Sequence, residues 1–544
     1  MEGFVGWPAD VATRYRAQGL WEGVTIGEMF ARSAQRWADK VAVVHGERRL
    51  TYAELLAASR DLAARLGGIG LGPGDRVLLQ LPNTIDFVVS YLALNFLGAI
   101  PVMALRAHRH AEVRHFLRAS GASAYIVPDV GGGFDFRAMA AEMQSEFPEL
   151  RHVLVAGAPA PGQLALSSLP TAPALAGGPQ ASDVTTMLLS GGTTSLSKLI
   201  PRTHDDYVLN ARLCGAAGGF TDRTVFMAIL PLGHNYNLAS PGMLGTFYYG
   251  GTVVIAGGTS IDEVFALVER EQVTVIAAVV PLITAWLNSD APSMYDLSSL
   301  EVVQNGGARL APELRRRMRE RLGCTPQEIY GTAEGLINMT RLDDPDELLL
   351  ESSGAPVSDD DEIMVVDDAG RQLPDGELGE LVTRGPYTIR GYYNAPDKNA
   401  EAFLPGGWYR MGDIVRRRGR YVFTEGRRKD MINRGGEKIS CEEVENLILA
   451  HPSVKSAVLV AMPDSVFGEK ACACVVPLPG LTLTFAELVA FLRGKQIASF
   501  KLPERLELFT ELPVSPVGKI LKRALREAVI ARLEVERGKA TKKG

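Results

Sequence analysis

The stretch Leu189-Ser190-Gly191-Gly192-Thr193-Thr194-Ser195-Leu196-Ser197-Lys198 follows an apolar run that begins at Thr186. Small residues let backbone N–H groups close around an anion, the hydroxyl groups add donors, and the lysine supplies a charge that can reach phosphate oxygens. A nucleoside-triphosphatase loop needs glycine directly before its lysine, and Ser197 stands there instead. A surface turn between two strands is the alternative interpretation. The stretch therefore indicates phosphate binding without identifying the compound.

Strand-like and helix-like segments alternate on both sides of this loop. Val41 to Val44, Arg76 to Leu81 and Ala124 to Pro128 are short apolar runs separated by helical patterns. Thr51 followed by Glu54 forms a capping box, which predicts that an amphipathic helix begins there. This alternation indicates α/β layers with mostly parallel sheets.

The composition excludes several functional classes. The 544 residues carry a net charge of −6, with 46% hydrophobic and 22% charged residues, which describes an ordinary globular protein. So mild a charge gives no reason to expect nucleic acid or an anionic membrane as a partner. The five cysteines are scattered without metal-ligand spacing, and the first residues lack a signal-peptide pattern. We therefore expect reduced thiols and a cytoplasmic location.

One apolar segment, Phe87 to Leu105, is long enough to imitate a membrane span. Pro101 interrupts it, and Gly98 has the position of a helix C-cap. We therefore predict a helix from about Thr84 to Leu97, a short buried strand around Ile100 to Met103, and no membrane partner.

The pattern changes at about Ser358, where polar turns begin to separate short strands. Glu362 to Val366 and Gly379 to Arg384 flank the turn Asp368-Ala369-Gly370, which predicts a hairpin and a small β subdomain. A glycine-rich turn at Arg434-Gly435-Gly436 then opens a C-terminal unit of βαββα-like order.

Further motifs follow the phosphate-loop candidate along the chain. They are Leu199 to Tyr207, His234-Asn235-Tyr236, Gly306 to Leu310, Tyr330 to Gly335, Gly412-Asp413, Gly426-Arg427, Ile432 to Lys438 and Pro513 to Lys519. In this order they resemble the adenylate-forming superfamily, which includes acyl- and aryl-CoA synthetases, luciferases and adenylation domains of nonribosomal peptide synthetases. Within it, the chain looks most like the stand-alone aryl-acid–AMP ligases of siderophore assembly. The resemblance covers nearly the whole chain.

The resemblance implies a fold and a reaction. It predicts an α/β fold with a large N-terminal domain, residues 1–428, of two layered α/β subdomains plus a small β subdomain, and a mobile α+β C-terminal domain, residues 429–544. The carboxylate of salicylate or 2,3-dihydroxybenzoate would attack the α-phosphate of ATP, and pyrophosphate would leave. Positioning of two anions and charge stabilisation at phosphorus would supply the rate gain. The aryl group would then pass to the phosphopantetheine thiol of an aryl carrier protein.

The resemblance also implies a site for ATP and magnesium. Glu334 would bind Mg²⁺, since a hard cation prefers carboxylate and phosphate oxygens, and Thr332 would donate to the α-phosphate. Asp413 would accept from both ribose hydroxyl groups, with Arg427 helping. The β- and γ-phosphates would contact Ser190, Gly191, Gly192, Thr193, Thr194 and Lys198. The remaining nucleotide contacts would be Gly307 and Ala308 beneath the adenine, together with Arg309, Tyr330 and Gly331.

The implied catalytic residues are Lys519, His234 and Thr332. In the family, a lysine in the position of Lys519 reaches into the site and bridges the carboxylate and the α-phosphate. Taken alone, it is an exposed lysine in a Pro/Gly loop, as most lysines are exposed. Lys429 matches the hinge about which the C-terminal domain swings between the two half-reactions, and the Gly436 loop would open a path for the thiol.

The implied aryl pocket centres on Asn235. Its amide would hydrogen-bond a 2-hydroxyl group, and a site built in this way rejects acids that lack it. A turn-capping asparagine is the alternative interpretation. Tyr236, Ser240, Gly307 and Ile337 would line the rest. Ser240 favours 2,3-dihydroxybenzoate because it can pair with a 3-hydroxyl group, whereas Ile337, larger than the expected valine, favours salicylate.

Two departures from the family pattern lie in the phosphate loop, where Ser195 replaces a usual glycine and Ser197 a usual proline. If that glycine uses a positive φ, serine there costs about 1 kcal/mol or more. This feature leaves open a non-catalytic relative that binds nucleotide or aryl acid, although Lys519, Glu334 and Asp413 favour an enzyme. An aryl (salicylate)-CoA ligase, with coenzyme A as acceptor, is the other alternative.

Overall fold

The computed structural model describes residues 1–171, 173, 177–190, 197–427, 430–434, 437–464, 466–495, 497–515 and 520–541. The α-helices of this part of the chain are α1 (Ala9–Ala17), α2 (Ile26–Arg36), α3 (Tyr52–Gly68), α4 (Ile85–Leu97), α5 (His110–Ser120), α6 (Phe136–Glu146), α7 (His204–Ala217), α8 (Asn235–Ala239), α9 (Gly242–Tyr249), α10 (Ile261–Glu271), α11 (Val280–Leu287), α12 (Pro312–Leu322), α13 (Asp346–Glu351), α14 (Pro396–Ala402), α15 (Cys441–Leu449), α16 (Phe485–Gly494) and α17 (Lys522–Thr541). The strands are β1 (Val41–His45), β2 (Arg48–Thr51), β3 (Arg76–Leu79), β4 (Ile100–Met103), β5 (Ala124–Pro128), β6 (Val130–Gly131), β7 (Phe134–Asp135), β8 (His152–Ala156), β9 (Leu164–Ala165), β10 (Val184–Leu189), β11 (Leu199–Thr203), β12 (Val225–Ala228), β13 (Thr252–Ile255), β14 (Val275–Ala278), β15 (Val302–Gly306), β16 (Thr325–Thr332), β17 (Gly335–Met339), β18 (Ala355–Pro356), β19 (Glu362–Val366), β20 (Gly379–Arg384), β21 (Phe403–Leu404), β22 (Trp408–Arg418), β23 (Tyr421–Arg427), β24 (Ile432–Arg434), β25 (Glu437–Ile439), β26 (Val454–Asp464), β27 (Gly468–Pro477) and β28 (Arg505–Leu508).

Two large sheets form the N-terminal part. The described strands of the first follow the order β18-β17-β16-β15-β14-β12-β13-β1-β2, and those of the second the order β11-β10-β4-β3-β5-β8-β9. The inner pairs of both sheets are parallel, whereas antiparallel pairs lie towards their ends. The predicted α/β layers with mostly parallel sheets are therefore confirmed.

Helix α4 explains the apolar segment that imitates a membrane span. Residues of α4 lie in a core shared with side chains of both large sheets, so the helix is apolar on almost every side. The side chain of Thr84 caps its first turn, and Gly98 ends it with a φ of 81°. The predicted break between helix and strand β4 is confirmed. No described helix combines the length and the apolar character that a membrane span requires.

Two smaller sheets complete the fold. One contains β19-β20-β22-β21 with β23 beside β22, and the C-terminal one contains β25-β24-β27-β26 with β28 beside β27. Helices α15 and α16 cover one face of the C-terminal sheet, and α17 covers the other. This unit is larger than the predicted βαββα order, because hairpin β24–β25 precedes α15 while β28 and α17 follow α16. The predicted large N-terminal domain and smaller C-terminal domain are confirmed. The exact boundary and the mobility of the C-terminal domain stay predictions.

Several loops meet at one edge of the N-terminal part. They follow β10, β12, β15 and β16, and they contain the motif residues Ser190, His234, Gly307 and Glu334. Binding sites of α/β proteins form at the carboxyl ends of parallel strands. The sheet order thus brings together motifs that are far apart in the sequence.

Candidate active site

A cavity of about 530 Å³ lies where these loops meet. The sequence-predicted site residues that line it are Ser190, Lys198, His234, Asn235, Tyr236, Ser240, Gly307, Gly331, Thr332, Glu334, Ile337 and Arg427. Asp413 forms an ion pair with the lining residue Arg427 and accepts a hydrogen bond from Tyr330. Ala308 and Arg309 are not among the lining residues. Predicted residues Gly191, Gly192, Thr193, Thr194, Lys429, Gly436 and Lys519 lie outside the described residues. Ser515, four positions before Lys519, also lines the cavity.

The two ends of the phosphate loop are tied together. Ser190 N donates to Lys198 O at 3.0 Å, and Lys198 N donates to Ser190 Oγ at 2.9 Å. The Lys198 ammonium lies 4.0 Å from the centre of the Tyr392 ring. Burial lowers the pKa of Lys198, because desolvation disfavours the charged form. The departure at Ser195 lies outside the described residues, so its effect stays a prediction.

Glu334 lies in a tight turn between β16 and β17 and is 7% exposed. One carboxylate oxygen, Oε1, accepts from Tyr392 Oη at 2.9 Å. The turn requires glycine at Gly335, whose φ is 136° and where a Cβ would lie 2.3 Å from Thr388 Cα. Thr332 Oγ1 donates to Gly335 O at 3.0 Å rather than into the cavity. The predicted donation from Thr332 to a phosphate would therefore require its hydroxyl group to turn.

Arg202 holds the Glu334 turn in place through hydrogen bonds to the backbone. It is 0% exposed, and its Nε donates to Asp206 Oδ1 at 2.6 Å. Its two terminal nitrogens donate to the backbone oxygens of Ala333 and Tyr387 at 3.0 and 3.1 Å. Sequence reasoning assigned no function to this side chain, because the two backbone oxygens that it contacts are 131 and 185 residues away along the chain.

The ribose end of the predicted nucleotide site contains Asp413 and Arg427. Asp413 on β22 pairs directly with Arg427 on β23, and their side chains form an ion pair of 2.8 Å. The charge of Asp413 raises the pKa of Arg427. Tyr330 Oη donates to Asp413 Oδ2 at 2.7 Å. The structure thus brings together three of the residues predicted to bind nucleotide.

The predicted adenine loop follows β15. Asn305 Nδ2 donates to Ala308 O at 2.7 Å and to Glu328 Oε2 at 2.9 Å, which holds the loop in shape. Gly306 has no room for a side chain, since a Cβ would lie 2.8 Å from the ring of Tyr236. Arg309 points away from the cavity lining and pairs with Glu442 of the C-terminal domain at 3.6 Å.

The run of charges Arg315, Arg316, Arg317 and Arg319 in the sequence predicts the solvated face of a helix, and this prediction is wrong for Arg315. Arg315 is 1% exposed, and its guanidinium lies 2.9 Å from Glu328 Oε2. Burial lowers the pKa of Arg315 and raises that of Glu328, because both charges have left water. Three of the four arginines are partly or fully exposed, so a local pattern could not distinguish the buried one.

The predicted aryl pocket contains a chain of polar side chains. Asn235 Oδ1 accepts from Tyr207 Oη at 2.8 Å, and Asn235 Nδ2 donates to Ser240 Oγ at 3.1 Å. Asn210 Nδ2 also donates to Ser240 Oγ at 3.1 Å. Asn235 therefore offers its second N–H to a ligand, since its oxygen is used by Tyr207. Ser240 already accepts twice, which leaves its own O–H to pair with a substrate oxygen.

Ile337 and His234 complete this end of the cavity. Ile337 is 3% exposed and lies over Gly331, where a Cβ would come within 2.7 Å of its Cδ1. Its backbone N donates to Tyr387 Oη at 3.3 Å, and Tyr387 in turn donates to Asp361. Burial raises the pKa of Asp361 to about 7. His234 Nδ1 accepts from Tyr236 N at 3.3 Å at the start of α8.

Comparison with solved structures supports the fold. The crystal structure of the anthranilate CoA ligase AuaEII in complex with anthranoyl-AMP matches with a TM-score of 0.87 at 25% identity. The match covers 94% of this chain and 98% of that one.

Comparison with curated proteins and family models identifies the family. A 2,3-dihydroxybenzoate-AMP ligase of Bacillus subtilis is 45% identical, covering 98% of this chain and 99% of the relative. A salicyl-AMP ligase / salicyl-S-ArCP synthetase of Mycobacterium tuberculosis is 44% identical, covering 96% and 94%. The AMP-binding enzyme model matches residues 30–393, and the AMP-binding enzyme C-terminal domain model matches residues 443–519. The chain therefore belongs to the AMP-binding enzymes, the adenylate-forming superfamily that its motifs predict.

Proposed function

We propose that this protein joins the carboxylate of a 2-hydroxy aryl acid, salicylate or 2,3-dihydroxybenzoate, to the AMP part of ATP and releases pyrophosphate. The observation that supports this most directly is the content of one cavity. It holds an amide donor suited to an ortho oxygen, at Asn235, and side chains suited to phosphates and their cation, at Lys198 and Glu334. Two relatives at 44 and 45% identity are named for 2-hydroxy aryl acids.

The described side chains offer different groups to the nucleotide and to the aryl acid. Lys198 holds phosphate oxygens, while Asp413 accepts from the ribose hydroxyl groups and keeps its position through Arg427 and Tyr330. At the aryl end, Asn235 and Ser240 present an N–H and an O–H donor. Holding both anions in one cavity lowers the barrier by positioning, and nearby donors stabilise charge that develops at phosphorus. Lys519 bridges the two reacting groups by the family pattern.

The donor set fits a magnesium ion that arrives with the nucleotide. Within the part of the chain that the structure describes, no group of three or more His, Cys, Asp or Glu side chains could hold a metal. Glu334 offers a single, mostly buried carboxylate. One carboxylate is sufficient, because Mg²⁺ in such sites takes its other ligands from phosphates and water. When bound, the ion would offset the negative charge of the phosphate oxygens.

The acceptor of the aryl group is proposed to be the phosphopantetheine thiol of an aryl carrier protein, in a siderophore-type pathway. The name of the M. tuberculosis relative supports this choice. Coenzyme A is the second candidate, which the match to an anthranilate CoA ligase favours. The domain swing about Lys429 and the thiol path beside Gly436 serve either acceptor. ATP as substrate and five unpaired, buried cysteines support a cytoplasmic location.

The test is acid-dependent exchange of pyrophosphate into ATP, with benzoate, salicylate, 2,3-dihydroxybenzoate, a cinnamate and a fatty acid. We expect exchange with the 2-hydroxy acids. Absence of exchange with every aryl acid, in the wild type and in Ser195→Gly, would reject the proposal in favour of a non-catalytic binding protein. Transfer of the product to a holo carrier protein or to coenzyme A, in parallel reactions, then identifies the acceptor.

A further inference from the structure

Tyr392 lies between the two charged residues of the predicted phosphate site. Its hydroxyl group donates to Glu334 Oε1 at 2.9 Å, and the face of its ring lies 4.0 Å from the Lys198 ammonium. The side chain is 1% exposed and borders the cavity. One tyrosine therefore contacts the predicted magnesium ligand and the predicted phosphate ligand at the same time.

Backbone hydrogen bonds connect the segment around Tyr392 to the Glu334 turn and to Leu199, the residue after Lys198. Asn399 pairs with it twice, because Tyr392 N donates to Asn399 Oδ1 at 2.7 Å and Asn399 Nδ2 donates to Tyr392 O at 3.0 Å. On one side, Ile389 N donates to Glu334 O at 2.8 Å. On the other, Tyr393 N donates to the backbone oxygen of Leu199, the residue after Lys198, at 3.0 Å. The segment thus ties the Glu334 turn to the end of the phosphate loop.

The chemistry of the two contacts differs. The Tyr392 hydroxyl group donates to the Glu334 carboxylate, which can only accept when it is charged. Its hydrogen bond occupies one carboxylate oxygen and leaves the other to a ligand. The ring face attracts the Lys198 ammonium by a cation–π interaction. Lys198 and Glu334 carry opposite charges, and each contacts Tyr392 on a different part of its side chain.

We propose that Tyr392 is a positioning residue for ATP and its magnesium ion. The hydroxyl group orients the Glu334 carboxylate for the cation, and the ring holds Lys198 apart from that carboxylate until phosphate oxygens replace the contact. The inference rests on the proposed function, since it assumes that ATP binds in this cavity.

The test compares Tyr392→Phe, which removes only the hydroxyl group, with Tyr392→Leu, which removes the ring as well. The matched control is Tyr393→Phe, because Tyr393 is buried in a different core. Calorimetry measures the Kd of ATP with Mg²⁺ and with EDTA, and the Kd of salicylate, on full-length protein without turnover. Thermal unfolding checks that each variant folds.

We expect Tyr392→Phe to weaken ATP binding about tenfold with Mg²⁺ and to leave binding in EDTA and salicylate binding within about twofold, as the loss of one charge-assisted hydrogen bond predicts. Tyr392→Leu weakens ATP binding in both media. Wild-type Mg²⁺-dependent affinity in Tyr392→Phe would overturn the inference, and so would equal losses for ATP in EDTA and for salicylate, which indicate a merely structural role. Pyrophosphate exchange separates the two proposals, because its absence in the wild type rejects the aryl-acid reaction while the ATP titrations still test Tyr392.

Discussion

The group at the 2-position of the aryl acid decides how well the acid is used, if the hydrogen bonds around Asn235 have the arrangement found here. The amide oxygen of Asn235 accepts from Tyr207, and one amide hydrogen goes to Ser240. The remaining N–H needs an acceptor. The phenol oxygen of salicylate is one, because its own hydrogen can bond internally to the neighbouring carboxylate. Benzoate has only a C–H group there, and the amino group of anthranilate is mainly a donor.

The magnitude follows from burial. Asn235 is 6% exposed, so benzoate leaves a polar hydrogen without a partner in a mostly dry pocket. An unmade buried hydrogen bond costs about 1–3 kcal/mol. With tenfold for each 1.4 kcal/mol, kcat/KM for benzoate should be roughly 5- to 150-fold below that for salicylate. The kcat/KM for anthranilate should be reduced by the same factor or more, since its amino group and the Asn235 N–H are both donors.

The assay is acid-dependent pyrophosphate exchange with the three acids at matched ATP. A variant tests the cause: Tyr207→Phe removes the hydroxyl group that fixes the Asn235 amide, so the amide can turn and present its oxygen. Use of anthranilate relative to salicylate should then rise. Tyr52→Phe is the control, because it removes a buried hydroxyl group bonded to a backbone oxygen elsewhere, at Gly251.

Equal kcat/KM for salicylate and benzoate would refute the reasoning and remove Asn235 from the pocket. An unchanged ratio of anthranilate to salicylate in Tyr207→Phe would leave the pocket assignment standing but reject the fixed amide orientation. A change of the same size in Tyr52→Phe would show that the ratio reports on folding instead.

Four further predictions follow from other parts of the molecule. Lys519→Ala should lower adenylation on the order of 100- to 1,000-fold and spare thioester formation from supplied aryl-AMP; parallel loss of both half-reactions would contradict the bridging role. Gly306→Ala should weaken aryl-acid binding by about 1–3 kcal/mol through overpacking against Tyr236, seen as a larger rise in the KM for the acid than in the KM for ATP. Arg315→Met leaves a buried carboxylate unpaired and should lower the free energy of unfolding by about 3–5 kcal/mol; a urea titration showing less than about 1 kcal/mol would disprove this. Burial raises the pKa of Asp361 to about 7, so the folded protein binds this proton more tightly than the unfolded chain does. The stabilisation is full below pH about 4 and is lost as the pH rises to about 7, with the free energy of unfolding falling by about 1.4 kcal/mol per pH unit. Asp361→Asn should flatten this slope in urea titrations.

Local features of the fold could be predicted from the sequence because their causes are local. The capping box at Thr51 and Glu54 forms as predicted, with Glu54 N donating to Thr51 Oγ1 at 3.2 Å. Gly98 ends α4 in the left-handed conformation that its position predicts. The predicted βαββα order of the C-terminal unit lacks strand β28, because β28 is recognised only by its pairing with β27, about 30 residues earlier in the chain.

The candidate site also combines features that have local causes with features that depend on residues far apart in the sequence. The types and order of the motifs indicated phosphate, ribose and aryl binding, because each motif has its chemistry in a few neighbouring residues. Which hydrogen each side chain offers depends on partners from distant segments. The oxygen of Asn235 is used by Tyr207, 28 residues earlier, and Glu334 accepts from Tyr392, 58 residues later. No spacing rule predicts such pairings.

The sequence by itself determined the alternation of strands and helices, the set of motifs and the family. Periodicity, capping and turn residues act over a few positions, so they can be recognised without a structure. Only the tertiary structure decided that Arg315 is buried against Glu328, that Arg202 holds the Glu334 turn, and that Tyr392 joins Glu334 to Lys198. The Arg315 contact forms when α12 packs on β16, and the Arg202 and Tyr392 contacts connect the region of β11 to the turn between β16 and β17. Burial and charge pairing therefore depend on which elements become neighbours in the fold.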